Sequence, residues 1–406
     1  MKIFEPAYIG HTKLRNRIIR SATYEGMCNE KGFPTEEYGK HYSELARNNA
    51  GGIITGFAFV TKNGRAMQPR QAGIDEASKI PFYREMTDEV HRWGGRIFLQ
   101  IAHAGRQTDP ESTGQKTVGP STKRSSCFDH RPRALVTREV VCLAEDFAYA
   151  ALRARESGFD GVQLHAAHGY LIHQFLLPGI NDRTDSFAVD PHTKLGTSFL
   201  DVVIDRVREK CGRSFPVLAK ISGSVDGRRQ FSEKQFINLI RFLNDKEVDA
   251  IEISYGTMDM PLNIFRGRSV PLDEILRINP RYKRKHRISR SLWKALVAPF
   301  FLKQIKAFTP AYNLPYAELA KDITAIPVIS VGGFIDSQKM ESALRSQKTD
   351  FIGLSRPLLC EPDLVRRIAG NQRYIAECVS CNLCAVMCDS PYSTRCYSKT
   401  SQGGTQ

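Results

Sequence analysis

Eight short apolar runs, separated by longer amphipathic stretches, set what this chain can become. They cover residues 17–22, 52–60, 96–102, 161–167, 216–222, 250–256, 327–332 and 351–355. Most are unbroken by charge, which suits strands buried on both faces of a parallel sheet. The stretches 36–48, 81–93, 145–157, 198–210, 233–245, 316–324 and 337–346 read as helices, with Ser232 placed to cap the fifth. Eight β–α units within residues 1–370 predict an α/β chain closed as a (β/α)8 TIM barrel. A doubly wound sheet is the rival. It normally carries G-x-G-x-x-G after an early strand, and that pattern is absent. A barrel puts its chemistry at strand C-termini, where Gln100, His165, Lys220, Gly332, Gly333 and Arg356 fall.

An insertion at about 262–312 interrupts the pattern after the sixth run, far longer than an ordinary connection. Trp293, Val297, Phe301 and Ile305 recur there every fourth residue, and Pro299 predicts a kink or a second helix start. Such a helix suits a flap packed on the barrel; a basic amphipathic helix on a membrane surface is the other reading. The net charge of +15 raises the question of nucleic acid. Residues 266–306 alone carry twelve Lys and Arg against Asp273 and Glu274, so the charge is local and no nucleic-acid partner is expected. An anionic substrate such as a coenzyme A thioester fits a cationic face equally well. No apolar stretch is long enough to span a bilayer.

The C-terminal segment 371–406 carries Cys378, Cys381, Cys384, Cys388 and Cys396 within nineteen positions. The first four follow the ferredoxin spacing C-x2-C-x2-C-x3-C, with Asp389 where that run has proline. Thiolates at this spacing suit an iron–sulfur cluster; zinc is the rival. The chain opens Met-Lys-Ile-Phe-Glu-Pro without an apolar leader, so a cytoplasmic location and free thiols are expected rather than disulfides. Cys28, Cys127, Cys142, Cys211 and Cys360 are scattered and read as core or surface thiols.

The densest chemical signature is Gly161-Val-Gln-Leu-His-Ala-Ala-His-Gly-Tyr. His165 and His168 leave the fourth run three residues apart, with Tyr170 following. Two imidazoles can donate to one carbonyl oxygen, and a tyrosine can protonate a carbanion. Metal ligation or buried core polarity would use the same residues.

Together with Leu14-Arg-Asn-Arg-Ile-Ile-Arg-Ser-Ala-Thr, Gln100-Ile-Ala-His-Ala-Gly-Arg, Val328-Ile-Ser-Val-Gly-Gly-Phe and Asp350-Phe-Ile-Gly-Leu-Ser-Arg-Pro, that signature resembles the old yellow enzymes. These are flavin-dependent ene-reductases. The branch resembled is the iron–sulfur one containing 2,4-dienoyl-CoA reductase and trimethylamine dehydrogenase. The resemblance implies FMN at the barrel mouth. Ser21, Ala22, Thr23 and Phe57 would lie along the ring, Gln100 at its pyrimidine edge and Lys220 near N1 and O2. Gly332, Gly333, Ser355 and Arg356 would hold the phosphate. It also implies that His165 and His168 grip the activating carbonyl of an enone or enoyl thioester while Tyr170 protonates the α-carbon. NAD(P)H is the implied electron donor, directly or through a separate electron-donor protein, and a homo-oligomer is expected. Cys378, Cys381, Cys384 and Cys396 are the implied ligands of a 4Fe–4S cluster, ahead of a set ending at Cys388. Tyr24 departs from the usual Cys or Thr, and His173, also unusual, reads as a supporting residue. The alternatives are an amine dehydrogenase or demethylase and a zinc-braced, non-catalytic subunit.

Overall fold

The computed structural model describes residues 1–227, 231–279 and 281–400. Pro280 of the insertion and the last six positions of the cysteine segment lie outside the described residues. Eight parallel strands close on themselves: β1 (Ile18–Arg20), β2 (Gly52–Ile54), β3 (Ile97–Ala102), β4 (Gly161–Ala166), β5 (Val217–Ser222), β6 (Ala250–Ser254), β7 (Val328–Val331) and β8 (Phe351–Leu354). β1 pairs with β8 through Ile18 and Ile352 and with β2 through Ile19 and Gly52, which completes the ring. The architecture is the (β/α)8 barrel that the eight runs predict, each strand falling within its run.

The barrel has a floor that the run pattern does not show. Ala7–Ile9 and Thr12–Leu14 form an antiparallel hairpin. Its Ile9 and Leu14 pack with Ile19, Ile54, Phe98, Leu218, Ile329 and Phe351 from the strands. Gly10 turns the hairpin at φ +53°, where an added Cβ would stand 2.5 Å from the Asp249 carboxylate.

Helices cover the outside where the amphipathic stretches predict them. Glu233–Asp245 begins with a capping box: Gln235 N–H donates to Ser232 Oγ and Ser232 N–H to Gln235 Oε1. Thr137–Glu156 starts eight residues before the predicted 145 because its first turn carries polar residues that hide the period; Glu139 caps it by accepting from Val136 N–H.

The insertion folds as four short helices, Pro261–Phe265, Leu272–Ile278, Arg287–Leu296 and Ala298–Leu302. Trp293 is buried against Leu276, Ala298, Tyr282 and Phe301. Val297, expected on the same inner face, is 43 % exposed, because the helix is interrupted at that residue ahead of Pro299.

The end of β1 is tied down by a buried ion pair. Glu25 accepts from Arg20 Nη2 at 3.2 Å, from Gly56 N–H and from the Tyr42 hydroxyl. Its carbonyl takes the Thr394 N–H of the cysteine segment. Glu25→Ala leaves the fully buried Arg20 without its counter-charge and is expected to lower unfolding free energy by about 3–5 kcal/mol. A melting temperature within a degree or two of the parent would contradict this account.

Candidate active site and cysteine cavity

The barrel mouth is built on a chain of buried polar side chains. Gln100 on β3 donates to Gln163 on β4 at 2.7 Å, and Gln163 donates to Glu252 on β6 at 2.8 Å. Glu252, fully buried, pairs with Lys220 on β5 at 3.3 Å and accepts from Ser21 just past β1. Lys220 also donates to Ser21 Oγ at 3.0 Å. Register explains the meeting, since Lys220 lies beside both His165 and Glu252 in the parallel ladder. Burial lowers the Lys220 pKa, and Glu252 pulls it back up. The sequence reading placed Ser21, Gln100 and Lys220 here but missed Gln163 and Glu252. Their signal was available: each is a strongly polar residue in a strand buried on both faces.

His165, His168 and Tyr170 stand together above this chain. Ring centroids are 4.9 Å apart for the two histidines and 4.7 Å for His165 and Tyr170. Phe57 packs 5.2 Å from Tyr170, centroid to centroid, and 6.0 Å from His165. Its carbonyl is taken by Gln71 Nε2, so Phe57 offers the group its ring. His168 and Gly169 both adopt positive φ, +61° and +79°, which turns the chain sharply off β4. His173 Nδ1 accepts Gly169 N–H at 2.9 Å and braces that turn. His168 Nε2 meets Ser254 Oγ at 2.7 Å, while the buried Nδ1 of His165 has no protein partner.

Burial holds both imidazoles well below their usual pKa, helped by Lys220 and by each other's neighbourhood, so both are neutral near pH 7. Tyr170 is pushed up, mainly by burial and then by Asp389 and Cys388 of the C-terminal segment. Asp389 itself is raised to about 6 by burial, against hydrogen bonds from Asn279 and Gln68. Neutral donors and a protonated phenol are the states needed to polarise a carbonyl and deliver a proton. A cavity of about 670 Å³ lies alongside, lined by Arg124, Leu177, Thr257, Asp259, Met260 and others, and Thr257 bridges to His168.

Gly332 and Gly333 end β7 at φ +128° and +78°, beneath the ring of Tyr312. Close by, Ser330 Oγ and Asn313 Oδ1 are buried without protein partners. Thr23 and Ser355 join the ends of β1 and β8 through a 2.7 Å contact between their hydroxyls. Ala22 packs partly buried on the floor cluster. Arg356 reaches toward the cysteine segment, donating to Asn382 Oδ1 and, at 3.1 Å, to the Arg266 carbonyl.

That segment forms a second cavity, about 160 Å³, lined by Cys378, Cys381, Cys384, Cys396, Arg356 and Asn382 among others. Cys360 also lines it beside Cys396, so the reading of Cys360 as an unrelated scattered thiol is corrected; its place at the end of Arg356–Cys360, not its spacing, brings it there. Cys388 does not line it; its thiol donates to the Cys384 carbonyl at 3.3 Å, next to Thr394. Asn382 Nδ2 is buried without an acceptor. Among the described residues no three His, Cys, Asp or Glu side chains are grouped to hold a single metal ion.

The family profile described as NADH:flavin oxidoreductase / NADH oxidase matches residues 2–288. The chain belongs to this family. It is 28 % identical over 385 residues to an NADH oxidase of Thermoanaerobacter brockii, 30 % over 383 to a metal reductase of Desulforamulus reducens, and 29 % over 395 to a cinnamate reductase of Clostridium sporogenes. These alignments cover 93–94 % of this chain but 53 %, 50 % and 54 % of the relatives, so the chain spans about half their length. An old yellow enzyme homologue from Zymomonas mobilis superimposes with a TM-score of 0.68 at 24 % identity, over 93 % of this chain and 95 % of the other, which establishes the likeness of fold.

The neutral histidines carry a pH signature. His103 and His173 are held at about 3 by burial, and His165 is also depressed. Unfolded, each titrates near 6.5, so below that pH the unfolded chain binds more protons. Their contribution to stability is therefore complete above about pH 6.5 and is lost progressively as pH falls toward 3. Thermal melts between about pH 6.5 and 4.5 are expected to show a falling Tm, with a shallower slope in His103→Gln. Parallel slopes for the two proteins would contradict the assignment.

Proposed function

We propose that this chain is an FMN-dependent oxidoreductase of the ene-reductase type that reduces the activated C=C bond of an enone or enoyl thioester. The observation that carries the reading is the neutral pair His165 and His168 beside a protonated Tyr170, directly over the Ser21–Lys220–Glu252–Gln163–Gln100 chain. The donor set fits FMN. Gln100, Lys220 and Ser21 offer polar atoms to a ring edge, and the partnerless Ser330 and Asn313 oxygens lie by the Gly332–Gly333 turn, the region proposed for the phosphate. Ala22, Thr23, Phe57, Ser355 and Arg356 complete the proposed cofactor set.

When bound, FMN supplies a hydride drawn from NAD(P)H. The chain's own residues do the rest. His165 and His168 donate to the carbonyl oxygen of the substrate and draw electron density from the β-carbon, which accepts the hydride. The Tyr170 O–H gives its proton to the α-carbon, and solvent restores it. The raised pKa keeps that proton on Tyr170 until the carbanion forms.

The cysteine cavity is proposed to hold an iron–sulfur cluster on Cys378, Cys381, Cys384 and Cys396. Thiols that line a cavity without converging on one point suit a polynuclear cluster better than zinc, whose four sulfurs lie about 2.3 Å from a single ion. The partnerless Asn382 amide is a ready donor to a sulfide, and the Arg356 guanidinium offsets thiolate charge.

Tyr170→Phe is expected to leave FMN content and its reduction by NAD(P)H unchanged while slowing reoxidation by an enone roughly 10²–10⁴-fold in stopped-flow traces. Wild-type reoxidation would remove Tyr170 from the mechanism. Anaerobically prepared protein is expected to carry about four iron atoms per chain. Cys396→Ser should lose them and Cys388→Ser keep them; stoichiometric zinc without iron would overturn the cluster and leave the barrel chemistry standing.

A further inference from the structure

The insertion has two apolar faces, and only one is covered. Trp293 and Phe301 turn inward, but Ile288, Leu292, Leu296 and Phe300 recur every fourth residue along the outside. They are 77 %, 56 %, 66 % and 69 % exposed, and Val297 and Leu302 widen the stripe. Isolated exposed apolar residues are ordinary, but a continuous stripe along a helix marks a contact surface.

The charge around the stripe selects its occupant. Residues 281–306 contain nine Lys and Arg and no acid. Lys283, Lys285, Arg287, Lys303 and Lys306 are exposed. Asp273 and Asp226, from outside this segment, reach two of the nine, Lys294 and Lys306. A second copy of the chain would bring this cationic field against its own like, which repels. An anionic bilayer satisfies both parts at once: lipid tails take the stripe and headgroups take the cations.

We propose that the Arg287–Leu296 and Ala298–Leu302 helices form an interfacial anchor that lays the stripe into the surface of an anionic membrane, with no span across it. The chain then belongs to the membrane face as a peripheral protein. The anchor packs on the cysteine segment through Leu262, Ile275 and Val386, and Arg268 N–H donates to the Ser380 carbonyl. Docking therefore holds the thiol-lined cavity close to the lipid. The proposal stands independently of the reaction assigned to the barrel.

Flotation of the purified full chain tests it. Vesicles of equimolar phosphatidylcholine and phosphatidylglycerol are expected to carry the protein upward, with binding at least about tenfold weaker to pure phosphatidylcholine. The double variant Leu292→Asp/Phe300→Asp changes only exposed positions and is expected to lose binding about tenfold or more with its Tm unchanged. Arg287→Glu/Arg290→Glu separately tests the cationic component and is expected to weaken binding comparably. Failure of the parent to float with the anionic vesicles overturns the proposal, as does equal flotation of parent and Leu292→Asp/Phe300→Asp. Sedimentation showing that the same apolar variant splits a dimer while still floating would assign the stripe to a second copy and overturn it too.

Discussion

A carboxylate in the middle of a barrel must be answered, and the answer organises this molecule. Glu252 is wholly removed from water on a strand whose neighbours are Ile251 and Ile253. An uncompensated charge there would neutralise itself or prevent folding. Lys220, Ser21 and Gln163 supply the compensation from three other strands, and Gln100 extends the chain to a fourth. The network demands that β1, β3, β4, β5 and β6 keep one register. The same register lifts His165 to the mouth beside Lys220. The polar layer therefore shapes the site even before any substrate arrives.

The barrel was legible because its strands are buried on both faces. All eight apolar runs contain the observed strands, and the ends differ by only a few residues. The floor hairpin escaped because three-residue strands carry too few positions for a period. The catalytic trio was legible as a motif, yet its geometry was not. Nothing in the letters says that His168 turns through positive φ, or that His173 stabilises that turn. Glu252 and Gln163 went unremarked because a polar residue within an apolar run was passed over as noise, whereas its isolation is the informative part.

The C-terminal segment shows the limit of spacing arguments. Cys384 and Cys388 are one helical turn apart, and spacing alone could join them. The short helix Leu383–Met387 instead carries Cys388 away from the cavity, while the loop after it returns Cys396. Cys360, distant in sequence, arrives at the same wall because β8 ends beside it. The insertion was legible as amphipathic, but one periodicity was seen where two exist. Residues 293 and 301 face inward, and residues 288, 292, 296 and 300 face outward, so each pattern partly masks the other in the sequence.

Ring closure has a consequence for biosynthesis. β1 completes its pairing with β8 through Ile18 and Ile352, residues from opposite ends of the chain. At ordinary translation rates the first strand waits roughly 15–70 s after synthesis before its last neighbour exists. During that interval both β1 and the most recently made strand present open edges, the form of surface on which nascent chains join one another. The floor hairpin, made first and local in sequence, is available throughout to shelter Ile19. Holding the first strand ready in this way gives the small N-terminal hairpin a role in time as well as in space.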